Sequence, residues 1–82
     1  MSIILTVILY DKPGLGDKID QLERTLGPCV NSGFGLGKYD ATWKFDNIKD
    51  ALKVEQVAQD IIDGPEYGET AVMEPDPDVE VY

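Results

Sequence analysis

Ile3-Ile4-Leu5-Thr6-Val7-Ile8-Leu9-Tyr10, running into Asp11-Lys12-Pro13-Gly14-Leu15, is the stretch whose reading decides the fold. β-branched and aromatic side chains dominate from Ser2 to Tyr10, as a pleated strand favours, and the Asp-Lys-Pro-Gly cluster stops the strand by turn chemistry. Beyond the turn, Leu15, Ile19, Leu22 and Leu26 recur at spacings of four, three and four, with Asp17, Lys18, Asp20, Glu23 and Arg24 off their line. That spacing draws one narrow apolar stripe on a helix. Gly27-Pro28 ends it, because glycine accepts a left-handed cap and proline cannot continue the ladder.

The remainder repeats the theme with one more strand. Cys29 to Phe34 reads as a second strand and Gly35-Leu36-Gly37-Lys38 as a turn. Tyr39, Ala41, Trp43 and Phe45 then alternate with Lys38, Asp40, Thr42 and Lys44 as a third strand. Asn47 is a good N-cap, Asp50 suits the positive end of the helix dipole, and Ile48 to Asp63 reads as the second helix before Gly64-Pro65. Around that helix Ile48, Ala51, Leu52, Val54, Val57, Ala58, Ile61 and Ile62 cover more than half the circumference, wider than contact with one sheet requires. Glu69 to Met73 is the last strand.

The order is therefore βαββαβ, an α+β arrangement that resembles the ferredoxin-like sandwich. With right-handed crossovers it gives a four-stranded antiparallel sheet, two helices on one face, and strands one and three in the middle. Residues 1–74 are read as a single α+β domain and 75–82 as an acidic Pro/Asp-rich C-terminal tail. In that tail Val79 to Tyr82 is either disordered or a short edge strand. Ile3, Leu5, Val7 and Leu9, with Ala41, Trp43 and Phe45, fall on the helix side. Ile4, Thr6, Ile8 and Tyr10 fall on the open face, where a second copy of the chain is the economical cover and a homodimer is one reading. Isolated apolar residues on a sheet surface are also ordinary, and the sequence leaves both readings open.

Composition narrows the partners. The chain has 82 residues and a net charge of −9; residues 1–45 are balanced, and after Lys53 there is no basic residue at all. Such a one-sided field repels nucleic acid and anionic membrane and attracts basic partners. Cys29 is the only cysteine, so no internal disulfide is possible, and a lone thiol suits a cytoplasmic location. No run is long enough to cross a bilayer, and no basic segment precedes an apolar one as in a signal peptide.

Asp11-Lys12-Pro13-Gly14-Leu15, between a hydrophobic strand and a helix, resembles the first loop of the ACT family of small-molecule-binding regulatory domains, commonly Asp-Arg-Pro-Gly-Leu on the same βαββαβ order. The likeness covers Leu5 to Leu26, with Lys12 in the Arg position and Gly16 where a second aliphatic residue is usual. It implies that Asp11, Gly14 and Leu15 line a small-ligand pocket. The bare alternative is a strand-to-helix turn built by Pro13 and Gly14. Gly33-Phe34-Gly35-Leu36-Gly37 resembles the aromatic core of RNA-recognition domains, but it lacks a basic lead residue, and the charge of −9 opposes phosphate. A flexible hairpin is the better reading.

Catalytic residues are not apparent. There is no histidine, so the usual proton shuttle near neutrality is missing and Cys29 has no customary base; it reads as a small buried hydrophobe. Glu55 lies within the apolar arc of the second helix, either as a buried acid or reaching out at the edge. Asp76, Asp78 and Glu80 alternate without a calcium-loop framework, so no metal and no cofactor is expected.

The leading expectation is a small acidic, non-enzymatic interaction or regulatory protein. Asp60, Asp63, Glu66, Glu69, Glu74, Asp76, Asp78 and Glu80 would form its partner-binding surface, docking on a basic protein. Charge mimicry of nucleic acid, familiar among phage and mobile-element inhibitors, is one form of this, although acids also serve solubility alone. The alternatives are an ACT-like amino-acid or metabolite sensor and a cofactor-free dimeric ferredoxin-like enzyme using a carboxylate such as Glu55.

Overall fold

A computed structural model describes residues 3–73 of the chain. Glu74, Asp76, Asp78, Glu80 and the expectations for Val79 to Tyr82 lie outside the described residues. The elements are β1 (Ile3–Tyr10), α1 (Leu15–Leu26), β2 (Asn31–Gly35), β3 (Lys38–Phe45), α2 (Ile48–Ile62) and β4 (Gly68–Met73). They form one antiparallel sheet in the order β2-β3-β1-β4. This is the ferredoxin-like α+β arrangement, with β1 and β3 central.

Strict alternation carries the core. Along β1 the odd residues Ile3, Leu5, Val7 and Leu9 are buried and Ile4, Thr6, Ile8 and Tyr10 are half-buried. Ala41 and Trp43 of β3 join the buried side, covered by Leu22 of α1 and Ala51, Ala58 and Ile62 of α2. Each fully buried leucine or valine contributes about 1.5–3 kcal/mol by leaving water. The Trp43 indole N–H donates to the Gly27 carbonyl at 3.0 Å, tying the central strand to the end of α1.

Helix ends follow local chemistry. The Asn47 side chain accepts from the Asp50 N–H at 2.9 Å, the expected N-cap of α2. Gly14 precedes α1 with φ 91, a left-handed conformation that costs glycine little. The C-terminal cap of α2 is Asp63 itself, in the left-handed region at φ 65, so the helix stops at Ile62, one residue before the expected end.

Two expectations need adjusting. The second strand begins at Asn31, and Cys29 lies before it, half-buried, because Gly27-Pro28 and the two residues after it form the connection. The wide apolar arc of α2 is only partly used: Ile48, Leu52 and Val57 are exposed, since α2 packs on the sheet and on α1 with no third layer above it.

β2 and β3 are joined by a two-residue turn in which Leu36 (φ 54) and Gly37 (φ 74) both have positive φ, as a type I′ hairpin demands. Glycine suits that backbone; leucine does not, and here its side chain is fully exposed at 102 %. Leu36→Asn is therefore expected to raise stability by about 1 kcal/mol in urea unfolding, because asparagine tolerates the left-handed region and no packing is lost. An unchanged or lower stability would mean that the turn is not strained.

Candidate functional site

The acidic end of the molecule forms where α2 stops and β4 starts. Asp60 and Asp63 are exposed at the end of α2, Glu66 lies in the loop, and Glu69 is the second residue of β4. No basic residue occupies the last turn of α2, so the negative end of its dipole adds to these carboxylates. Lys18 reaches this end from α1: its Nζ donates to the Ile61 carbonyl at 3.3 Å and lies 4.7 Å from the centre of the Tyr67 ring. Among the described residues the one ion pair is Arg24 with Asp20, at 2.9 Å on α1.

A cleft of about 330 Å³ opens here, lined by Gln59, Ile62, Gly64, Pro65, Gly68, Glu69 and Thr70. The Glu66 carboxylate lies against its rim, 2.8 Å from where a side chain on Gly64 would begin. Beside the cleft runs a short polar chain. The Gln59 amide donates to the Thr70 hydroxyl at 3.0 Å, which donates to the Glu55 carboxylate at 2.9 Å. Glu55 is thus half-buried and partnered by a hydroxyl at the helix edge. Thr70 pairs with the buried Val7 across the strands, and the signal for this was a polar residue two positions before Val72, on the inward-facing side of β4.

Asp11, Gly14 and Leu15 do not line this cleft. The Asp11 N–H donates to the Gly37 carbonyl at 3.0 Å, the Leu15 N–H to Lys12 at 3.1 Å and the Lys18 N–H to Gly14 at 3.1 Å. The loop therefore abuts the β2–β3 turn and starts α1, which accounts for its Pro and Gly.

Ile4, Thr6, Ile8 and Tyr10 share the open face, as the alternation implies. Register sets Ile4 between Lys44 and Met73, Thr6 between Thr42 and Ala71, and Ile8 between Asp40 and Glu69. Charged neighbours therefore interrupt its apolar residues. The Tyr10 hydroxyl donates to the Glu69 carboxylate at 2.5 Å, and this bond raises the Tyr10 pKa above its ordinary 10.0. Burial does the same for Tyr39 on the other face, with the nearby Cys29 and Glu23 side chains adding to it.

Among the described residues no group of three potential metal ligands is present, and no helix is long and apolar enough to cross a membrane.

The fold defines the class, a ferredoxin-like α+β unit. Neither a protein-family model nor a curated protein sequence matches the chain. Solved structures do. A NIPSNAP family protein of Agrobacterium tumefaciens strain C58 is similar with a TM-score of 0.58 at 14% identity, over 100% of both chains. An uncharacterised NIPSNAP-like domain protein of Burkholderia xenovorans gives 0.51 at 11% identity, over 93% of this chain and 86% of that one. Another Agrobacterium tumefaciens protein gives 0.51 at 14% identity, over 94% and 95%. At such identities the likeness is one of fold.

Proposed function

We propose that this chain is a non-enzymatic protein-binding module whose acidic end receives a basic segment of a partner protein. The observation that carries this reading is a cleft lined in part by Glu69, next to a helix end that bears exposed Asp60 and Asp63 and has no base in its own last turn, with Glu66 in the loop that follows. Lysine or arginine side chains arriving there meet carboxylates, the α2 dipole and an apolar floor at Ile62 and Pro65. A partner that otherwise binds nucleic acid is the narrower form of the proposal, the carboxylates standing where phosphates would.

Fluorescence anisotropy with labelled oligolysine and oligoarginine tests it. Binding is expected to fall steeply as salt rises through the physiological range, because exposed charges are screened over about 8 Å there. The triple variant Asp60→Asn, Asp63→Asn, Glu66→Gln should weaken binding about tenfold or more while leaving the circular dichroism spectrum unchanged, since all three residues are exposed. Salt-independent binding, or an unaffected triple variant, would overturn the reading. For the narrower form, DNA should displace this chain from its partner.

A further inference from the structure

We propose that the exposed edge of β2 is a self-association surface, on which a second copy of the chain adds its own β2 antiparallel about a two-fold axis at Gly33. Three independent observations lead there. β2 is the outermost strand and all five of its residues are exposed. Natural edges are defended by lysine, proline, bulges or a covering element. Ser32-Gly33-Phe34-Gly35 has none of these, the strand departing from regular pairing only at its start, where the Val30 N–H also turns to the Thr42 carbonyl, whereas the other edge strand, β4, carries Glu69 and borders the α2 cleft.

The second observation is apolar exposure. Val30 (57 %), Phe34 (62 %) and Leu36 stand in solvent on this one hairpin. The third is charge: no charged residue occurs between Arg24 and Lys38, in a chain whose net charge is −9. Another copy is repelled by the acidic end and meets no repulsion at this edge. That asymmetry selects a second copy as the occupant, since a basic partner has nothing to pair with here.

Backbone geometry fixes the register. In a two-residue hairpin the flanking Gly35 and Lys38 form a hydrogen-bonded pair, so Asn31, Gly33 and Gly35 turn their N–H and C=O groups toward β3. Ser32 and Phe34 turn theirs outward. Two copies related at Gly33 place Ser32 opposite Phe34, and Phe34 opposite Ser32, so every outward group of both residues is paired. Gly33 then faces Gly33 at a non-hydrogen-bonded position, where α-carbons approach to about 4.5 Å and side chains crowd most. Glycine accepts that approach. The two Phe34 rings become diagonal neighbours, within reach of each other.

Sedimentation across a concentration series of the whole chain tests the surface. The wild type is expected to dimerise. Gly33→Lys should weaken the dimer at least about tenfold by setting two like charges face to face; in the single copy the new side chain starts 3.4 Å from the Asp40 carboxylate and is tolerated. Ser32→Pro should do likewise, since the backbone group it deletes is an outward N–H; circular dichroism checks that the fold is kept. In a Cys29→Ser background, Gly33→Cys should form a disulfide dimer on oxidation, the α-carbon spacing being within disulfide range, and Asp40→Cys should not. A wild type that stays monomeric overturns the proposal. So does a dimer that survives Gly33→Lys and Ser32→Pro but is lost in Ile8→Asp, which would move the contact to the open face of the sheet.

Discussion

Gly68→Ala is expected to lower the free energy of unfolding by about 3 kcal/mol, the upper part of the range for overpacking, because the added methyl meets main chain. Its Cβ would stand 2.3 Å from the Ile8 carbonyl oxygen, 3.0 Å from Leu9 Cδ2 and 3.2 Å from Leu9 Cα. A side chain can swing away; the backbone of β1 cannot, since it is bonded to β3 on one edge and β4 on the other. The φ of Gly68 is not in the left-handed region, so space, and not conformation, excludes every other residue here. For a domain whose total stability is about 4–12 kcal/mol by size, such a loss lowers the melting temperature by about 10 °C or more. Urea unfolding followed by Trp43 fluorescence measures it. An alanine variant as stable as the wild type would show that β4 lies further from β1.

Trp43→Ala is the second large effect, a loss of about 3–5 kcal/mol. Trp43 is only 4 % exposed, sits among Leu5, Val7 and Ala41, and donates its indole N–H to Gly27. Removing it opens a cavity between the central strands and the end of α1 that small neighbours such as Ala41 and Ala58 cannot fill. Trp43→Phe separates the two contributions: most of the ring remains and the hydrogen bond goes, so the expected loss is about 1–2 kcal/mol. Circular dichroism in urea is the appropriate measurement, since these variants lack the fluorophore. Equal losses for alanine and phenylalanine would assign the energy to the hydrogen bond.

Much of the fold was legible because period-two and period-3.6 patterns coincide with turn chemistry. Ile3, Leu5, Val7 and Leu9 alternate, Leu15 to Leu26 keep a helical stripe, and Gly27-Pro28 and Asn47 mark helix ends. What stayed hidden depends on contacts between distant segments. Nothing around Tyr67-Gly68-Glu69 announces that β1 passes too close for a side chain, and nothing at Leu36 announces positive φ, since leucine is an unusual residue there. The apolar width of α2 suggested fuller burial than occurs, because the wheel records hydrophobicity and not which faces meet a neighbour. At the candidate site the carboxylates were visible as composition, while the cleft among Gln59, Pro65 and Thr70 exists only once α2 and β4 lie side by side.

The pairing of β1 with β4 has a consequence for biosynthesis. Ile4 in β1 leaves the ribosome ahead of the other elements of this domain, and its partner Met73 leaves only after β2, β3 and both helices. Until then the central strand has at most one neighbour, β3, and its other edge stands open to any extended segment nearby. The domain cannot close stepwise during translation; its last six-residue strand completes it, so a stall or cut before Gly68 leaves the most hydrophobic strand of the chain without its second wall.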